Sequence, residues 1–224
     1  MWELFVAIRP SSRAKLTTGQ VNSHHSHIRI FMKKIVFDIE TRNFFPDVGT
    51  NNPADLDISL VGLYDYETNS YHSFLQEDFS RMWDIIEKAD VFITFNGDHF
   101  DIPILNKYYK GAERGDLTKI RSLDIFKEIK NSSGRWLKLD KLAEGTFGRN
   151  KLGLGGDALV WWRQGQIEKI REYCLEDVRL TKEIYEYALK NKKLLFKEGP
   201  FVKEIKMDVK HWDIVPEVKT QSLF

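Results

Sequence analysis

Met32-Lys33-Lys34-Ile35-Val36-Phe37-Asp38-Ile39-Glu40-Thr41 is the stretch on which the reading of this chain turns. Ile35 to Glu40 has the apolar, β-prone composition of a buried strand. Successive side chains on a strand point to opposite faces, so Asp38 and Glu40 share one face. Ile35, Phe37 and Ile39 point the other way, into a core. Two neighbouring acids at the end of a buried strand repel each other and are costly unless a cation compensates them. Asp65-Tyr66-Glu67 repeats the same spacing and serves as a control. It stands where a strand runs into the polar turn Thr68-Asn69-Ser70, and there two solvated charges are expected. Setting, rather than spacing, singles out Asp38 and Glu40.

Working outward, Ile58–Tyr66 and Tyr71–Leu75 read as two further strands around that turn, a meander of three antiparallel strands with the first. Asp78–Lys88 carries Phe79, Met82, Trp83, Ile85 and Ile86 at helical spacing. Val91–Phe95 is a buried strand, Ile102–Tyr109 a helix with Pro103 in its first turn, and Ile120–Leu123 a short strand. Helices follow around 125–129, 138–144 and 158–163. The turn Gly153-Leu154-Gly155-Gly156 lacks the Lys-Ser/Thr of a phosphate-binding loop. Ile167–Leu189 is the longest helical pattern, with Ile167, Ile170, Cys174, Val178, Thr181 and Tyr185 as its core stripe. Leu194–Phe196 and Phe201–Met207 suggest a terminal hairpin or tail strand. The expectation is an α/β fold: a mixed sheet of three antiparallel and then two parallel strands, with helices packed on it.

The chain has 224 residues, 42% hydrophobic and 30% charged, with a net charge of +1. That is one substantial domain of ordinary composition. No strong overall field draws it to nucleic acid, so such a partner must be met by a local basic patch or by bound cations. No apolar run is long enough to span a membrane. The single Cys174 excludes an internal disulfide and fits a reducing, cytoplasmic setting. Residues 1–31 are basic beyond Glu3, show no helical or strand period and include His24-His25-Ser26-His27. We expect an extension without a catalytic role there, a domain over residues 32–210, and a tail over 211–224.

Two more segments carry acids at the ends of predicted elements. Asn96-Gly97-Asp98-His99-Phe100-Asp101 follows a strand and opens a helix. Asp101 suits the helix dipole there, and Asp98 competes with it in the same loop. Tyr173 and Asp177 are four apart and share a face of the longest helix, beside the core stripe. Four carboxylates from three distant segments suit hard divalent cations, and a pair of such ions can drive in-line attack on a phosphodiester. Cys174 lies on the apolar stripe and reads as an inert core thiol. Of the adjacent Trp161 and Trp162, one packs inward and the other is a candidate for stacking on bases.

These motifs together resemble the DEDD 3′–5′ exonucleases of the ribonuclease H-like superfamily. Asp38 and Glu40 match the first motif, D-x-E. Asn96 through Asp101 match the second, an acid after an aromatic and preceded by Asn. Tyr173 and Asp177 match the Y-x-x-x-D of the tyrosine subclass, and Glu172 stands where the histidine subclass needs His. Ser122-Leu123-Asp124, Leu139-Asp140-Lys141-Leu142-Ala143 and Tyr173–Val178 look more narrowly like the YprB-like group of predicted exonucleases. The resemblance implies a ribonuclease H-like fold and hydrolysis with two Mg²⁺ or Mn²⁺ held by Asp38, Glu40, Asp101 and Asp177. Tyr173 would orient water, since a free pKa of ~10 makes it a poor general base. Thr41 and Asn96 are candidates for holding the terminal nucleotide, and Lys138, Lys141, Arg149 and Lys151 for a phosphate track. The implied partner is the 3′ end of a single strand, with no membrane and no obligate protein partner. Two rivals stay open: a non-catalytic nucleic-acid-binding module of the same fold, and a phosphodiesterase acting on oligonucleotides or nucleotides.

Overall fold

The computed structural model describes residues 32–109, 115–149, 153 and 156–214. The expected extension at 1–31 lies outside the described residues. So do Lys151, two residues of the glycine-rich turn, and the chain from 215 onward.

The elements run β1 (Lys34–Thr41), α1 (Phe45–Val48), β2 (Ile58–Asp65), β3 (Ser70–Phe74), α2 (Phe79–Ile86), β4 (Val91–Thr94), α3 (Asp101–Tyr108), β5 (Arg121–Asp124), α4 (Ile125–Ser133), α5 (Leu139–Phe147), α6 (Asp157–Arg163), α7 (Ile167–Asn191), β6 (Lys193–Glu198) and β7 (Phe201–Lys206). Five strands form one sheet in the order β3-β2-β1-β4-β5. β2 is antiparallel to β1 and β3. β4 is parallel to β1, and β5 to β4. The expected mixed sheet is therefore present, with the acidic strand β1 at its centre. β6 and β7 form a separate antiparallel hairpin. Among the described residues no helix is long and apolar enough to cross a membrane.

The alternation read from the sequence assigns the two faces of the sheet. Ile35, Phe37 and Ile39 are buried against Met82 and Ile86 of α2 and Ile104 and Leu105 of α3. Val36 and Ile93 face the opposite way, against α4, α5 and α7. The hairpin extends that second core with Leu194, Phe196 and Ile205, and Val209 and Trp212 follow them into it. Trp212, at a position expected to start the tail, is fully buried. Its ring stacks on Tyr185 at 5.7 Å, and its Nε1–H donates to Glu128 at 3.1 Å. Arg121 donates to the carbonyls of Trp212 and Ile214, at 3.2 and 3.0 Å.

The control pair corrects one expectation. Glu67 is an exposed partner of Lys33 at 3.1 Å, as a solvated charge should be. Asp65 is instead buried, 8% exposed. Its carboxylate accepts the Glu67 N–H at 2.8 Å and the Thr68 hydroxyl at 2.9 Å, while Asn69 takes a positive φ of 53°. A turn this tight leaves backbone donors without strand partners, and a short acid at its first position satisfies them. Asp65→Ala should thus lower stability by about 1–3 kcal/mol in a urea titration. Any hydrolytic activity should stay within a few-fold of wild type, because the turn lies at the opposite end of the β1–β2 pair from Asp38 and Glu40.

Candidate active site

β1 and β4 pair only from Lys34–Val36 to Val91–Ile93. Beyond Val36 the parallel neighbour no longer serves β1, and a side chain takes its place. The Ile39 N–H donates to Asp101 Oδ1 at 2.9 Å. Asp101 is the first residue of α3, one earlier than the sequence pattern suggested, and is 4% exposed. Helix N-termini favour a negative side chain there. The donor lies between Asp38 and Glu40 in the chain, so this one bond joins the first and second acidic motifs. Ligands bind at such places in open α/β sheets, beyond the carboxyl ends of strands where the connections diverge.

α7 brings the third motif. Gly62 of β2 stands opposite Asp38 in the register. A Cβ on Gly62 would lie 2.8 Å from Cys174 Sγ, so only glycine lets the helix rest this close to the strands. Cys174 Sγ is then 3.7 Å from Asp38 Oδ2. Asp38, Glu40 and Cys174 offer ligand atoms that all lie within 4.8 Å of one another. Tyr173 and Asp177, on the same helix, are both buried.

The electrostatics of the cluster define what it could hold. Burial, with smaller contributions from Asp124 and Asp177, pushes the Asp101 carboxyl up to about 7 against the pull of the Ile39 N–H. Burial also pushes the Cys174 thiol well up, helped by Asp38, Glu40 and Asp177. A thiol so placed keeps its proton and is no soft ligand. The donors left are carboxylate oxygens that repel one another, a set that fits a hard divalent cation.

Asp124 is a residue whose part the sequence reading missed. It is buried at the junction of β5 and α4. Oδ1 accepts the N–H groups of Asn96 at 2.8 Å and Phe126 at 3.0 Å, and Oδ2 accepts that of Asp98 at 3.2 Å. It thereby holds the loop that leads to Asp101, with Asn96 at a φ of 69°. The sequence signal was an aspartate between a strand and a helix, which marks an N-cap. That it would also grip the loop after β4 depends on the order of strands. Asp98, the competitor of Asp101, is turned to Lys127 at 2.6 Å.

Tyr173 meets Trp161 edge-on at 5.7 Å. A Cβ on Gly153 would lie 3.3 Å from the Tyr173 ring. Trp161 and Trp162 are both partly buried against the same small cluster, so the base-stacking candidate of the pair is half-packed. Thr41 follows a register shift in β1, and its hydroxyl donates to the Asn43 carbonyl at 3.0 Å. Lys138 is exposed just before α5. Lys141 pairs with Glu144 at 3.2 Å, and Arg149 pairs with Glu183 while covering Phe147. Two members of the expected phosphate track are thus tied to carboxylates, and Lys151 lies outside the described residues.

The family described as the RNase H superfamily matches residues 35–189. A DNA-directed DNA polymerase of Enterobacteria phage T3 is 24% identical over 169 residues, which are 58% of this chain and 24% of that protein. Among solved structures, the family B DNA polymerase of the archaeon Pyrobaculum calidifontis superposes with a TM-score of 0.56 at 18% identity. The match covers 70% of this chain and 24% of that one, and it bears on the fold alone. The chain spans about a quarter of the length of each polymerase.

The buried acid gives a test in protein freed of metal by a chelator. The folded pKa of Asp101, about 7, lies above its ordinary 3.8. The ionised form is therefore penalised in the fold, by an amount that grows as pH rises from 3.8 through about 7. Asp101→Asn should melt higher than wild type at pH 8, and the difference should close towards pH 4. Adding Mn²⁺ at pH 8 should raise the wild-type Tm much more than that of the variant. Equal melting of the two chelated proteins at pH 8 would remove the argument from burial.

Proposed function

The chain belongs to the RNase H superfamily, and within it we propose a metal-dependent 3′–5′ exonuclease that hydrolyses single-stranded DNA or RNA. One observation carries this reading: the Asp101 carboxylate is hydrogen-bonded to the backbone between Asp38 and Glu40. Acids from separate segments thus meet at one strand end, with Asp177 acting electrostatically on the same group. The 3′–5′ direction, the tyrosine subclass and the YprB-like grouping rest on the resemblance of the three motifs.

Asp38, Glu40, Asp101 and Asp177 would hold two Mg²⁺ or Mn²⁺. When bound, such cations acidify water and neutralise charge at a leaving 3′ oxygen. The chain's own residues do the rest. The Ile39 N–H fixes the orientation of Asp101, and Asp124 fixes the loop that delivers it. The ring of Tyr173 packs against Trp161 and close to Gly153, and its hydroxyl would position the attacking water. Cys174 fills the space between helix and strand and excludes solvent behind Asp38.

The test is to incubate end-labelled single-stranded and duplex DNA and RNA with Mg²⁺ or Mn²⁺ and to read the product ladder. A ladder that shortens from the 3′ end and disappears with EDTA is expected. Asp38→Ala, Glu40→Ala, Asp101→Ala and Asp177→Ala should each abolish it in folded protein. Tyr173→Phe should be roughly 10²–10⁴-fold slower in single turnover, with strand binding in Ca²⁺ retained. An active Asp38→Ala would defeat the site assignment, and unchanged cleavage by Tyr173→Phe would leave that residue as packing only.

A further inference from the structure

An aromatic row leads away from the loop that carries Asn96 and Asp101. Phe95, just after β4, directly precedes Asn96. Its ring lies 5.4 Å from that of Phe126, in the first turn of α4. Phe126 in turn lies 4.6 Å from Trp136, with the ring planes 31° apart. Lys130 Nζ sits over the same indole at 4.9 Å. Phe126 and Lys130 are four apart on α4 and share a face. With both contacts made, Trp136 is still 58% exposed.

Exposure of a single apolar residue needs no explanation. Three things set Trp136 apart. It is seated against Phe126 and Lys130 of α4 instead of being buried in a core. It is the outer end of a row whose inner end is continuous with the candidate active site. It also stands among cations: Lys130 donates to the Gly134 carbonyl at 2.9 Å and, like the exposed Lys138, enters no ion pair among the described residues. Aromatic faces beside unpaired lysines are what a nucleic-acid single strand meets with unpaired bases and phosphates. A duplex keeps its bases stacked and offers no such face.

We propose that Trp136, supported by Phe126 and flanked by Lys130 and Lys138, is a stacking platform for an unpaired base upstream of the strand end held at the carboxylates. The proposal rests on the nuclease reading for its direction and register, and its measurement needs strand binding but no cleavage. Stacking is indifferent to sugar chemistry, so the platform selects single strands over duplexes without choosing between DNA and RNA.

The experiment uses the full chain in Ca²⁺, in which the strand end is held in one register and cleavage is poor. Binding of a 5′-fluorescein single strand is followed by anisotropy, with one abasic position moved along the strand. Wild type should bind about tenfold more weakly when one particular position is abasic. Trp136→Ala should bind the intact strand about tenfold more weakly and lose its sensitivity to the abasic position. Trp136→Phe should recover most of both.

Wild-type affinity in Trp136→Ala, or the same abasic profile in both proteins, overturns the proposal. So does self-association that Trp136→Ala abolishes while strand binding is unchanged. An intact abasic profile in a protein that cleaves nothing would remove the nuclease reading and leave the platform standing.

Discussion

The hydrogen bond from the Ile39 N–H to the Asp101 carboxylate is the constraint from which the arrangement of this protein follows. A central strand normally gives its donors on both sides to neighbouring strands. β1 does so towards β2 along its whole length, but towards β4 only as far as Val36. The buried donor that follows must still find an acceptor, since an orphaned one costs about 1–3 kcal/mol. The acceptor is a charged side chain, and taking it out of water raises its pKa. The sheet thus meets its own requirement at its open end with a group that then requires a counter-charge. Backbone accounting and cation chemistry become one problem at this point.

The opposite wall is set by closeness. Helices usually stand off a sheet by the thickness of two side-chain layers. Gly62 removes one of those layers, and Cys174 is small enough to fill what remains. A larger residue at either place would lift α7 and carry Tyr173 and Asp177 away from Asp38. The thiol serves here as a small apolar filler among acids, and its raised pKa keeps it from adding another negative charge.

Much of this was legible in the sequence because periodicity reports burial. The alternation at Ile35–Glu40 predicted which face each acid would take, and the three- and four-residue stripe of α7 predicted Cys174 and Val178 as core. What stayed hidden depends on tertiary neighbours. Asp65 looked solvated because a polar turn follows it, yet its turn folds back over it and uses both its oxygens. Trp136 drew no reading from the sequence, because nothing in the local pattern says that Phe126 and Lys130 form its seat. Trp212 sits beyond the last periodic segment, and a lone tryptophan in a polar stretch gives no hint that Tyr185 waits for it. The ion pair of Arg149 was hidden for the same reason, since Glu183 lies on α7, far along the chain; that of Lys141 with Glu144 is local, within α5.

The contrast between Asp124 and Asp101 explains how one small region can hold so many acids. Asp124 is surrounded by backbone donors from Asn96, Asp98, Phe126 and Lys127, the last at 3.5 Å. Burial raises its pKa all the same, against the pull of those donors, but its oxygens are already occupied by N–H groups and by the start of α4. It still acts at a distance, raising the pKa of Asp101. Asp101 answers to fewer donors and more burial, so its ionised form is the one a cation stabilises most. A gradient of hydrogen bonding across neighbouring aspartates thus sorts them by task. The saturated one builds the loop, and the desolvated one is bonded to the strand between Asp38 and Glu40.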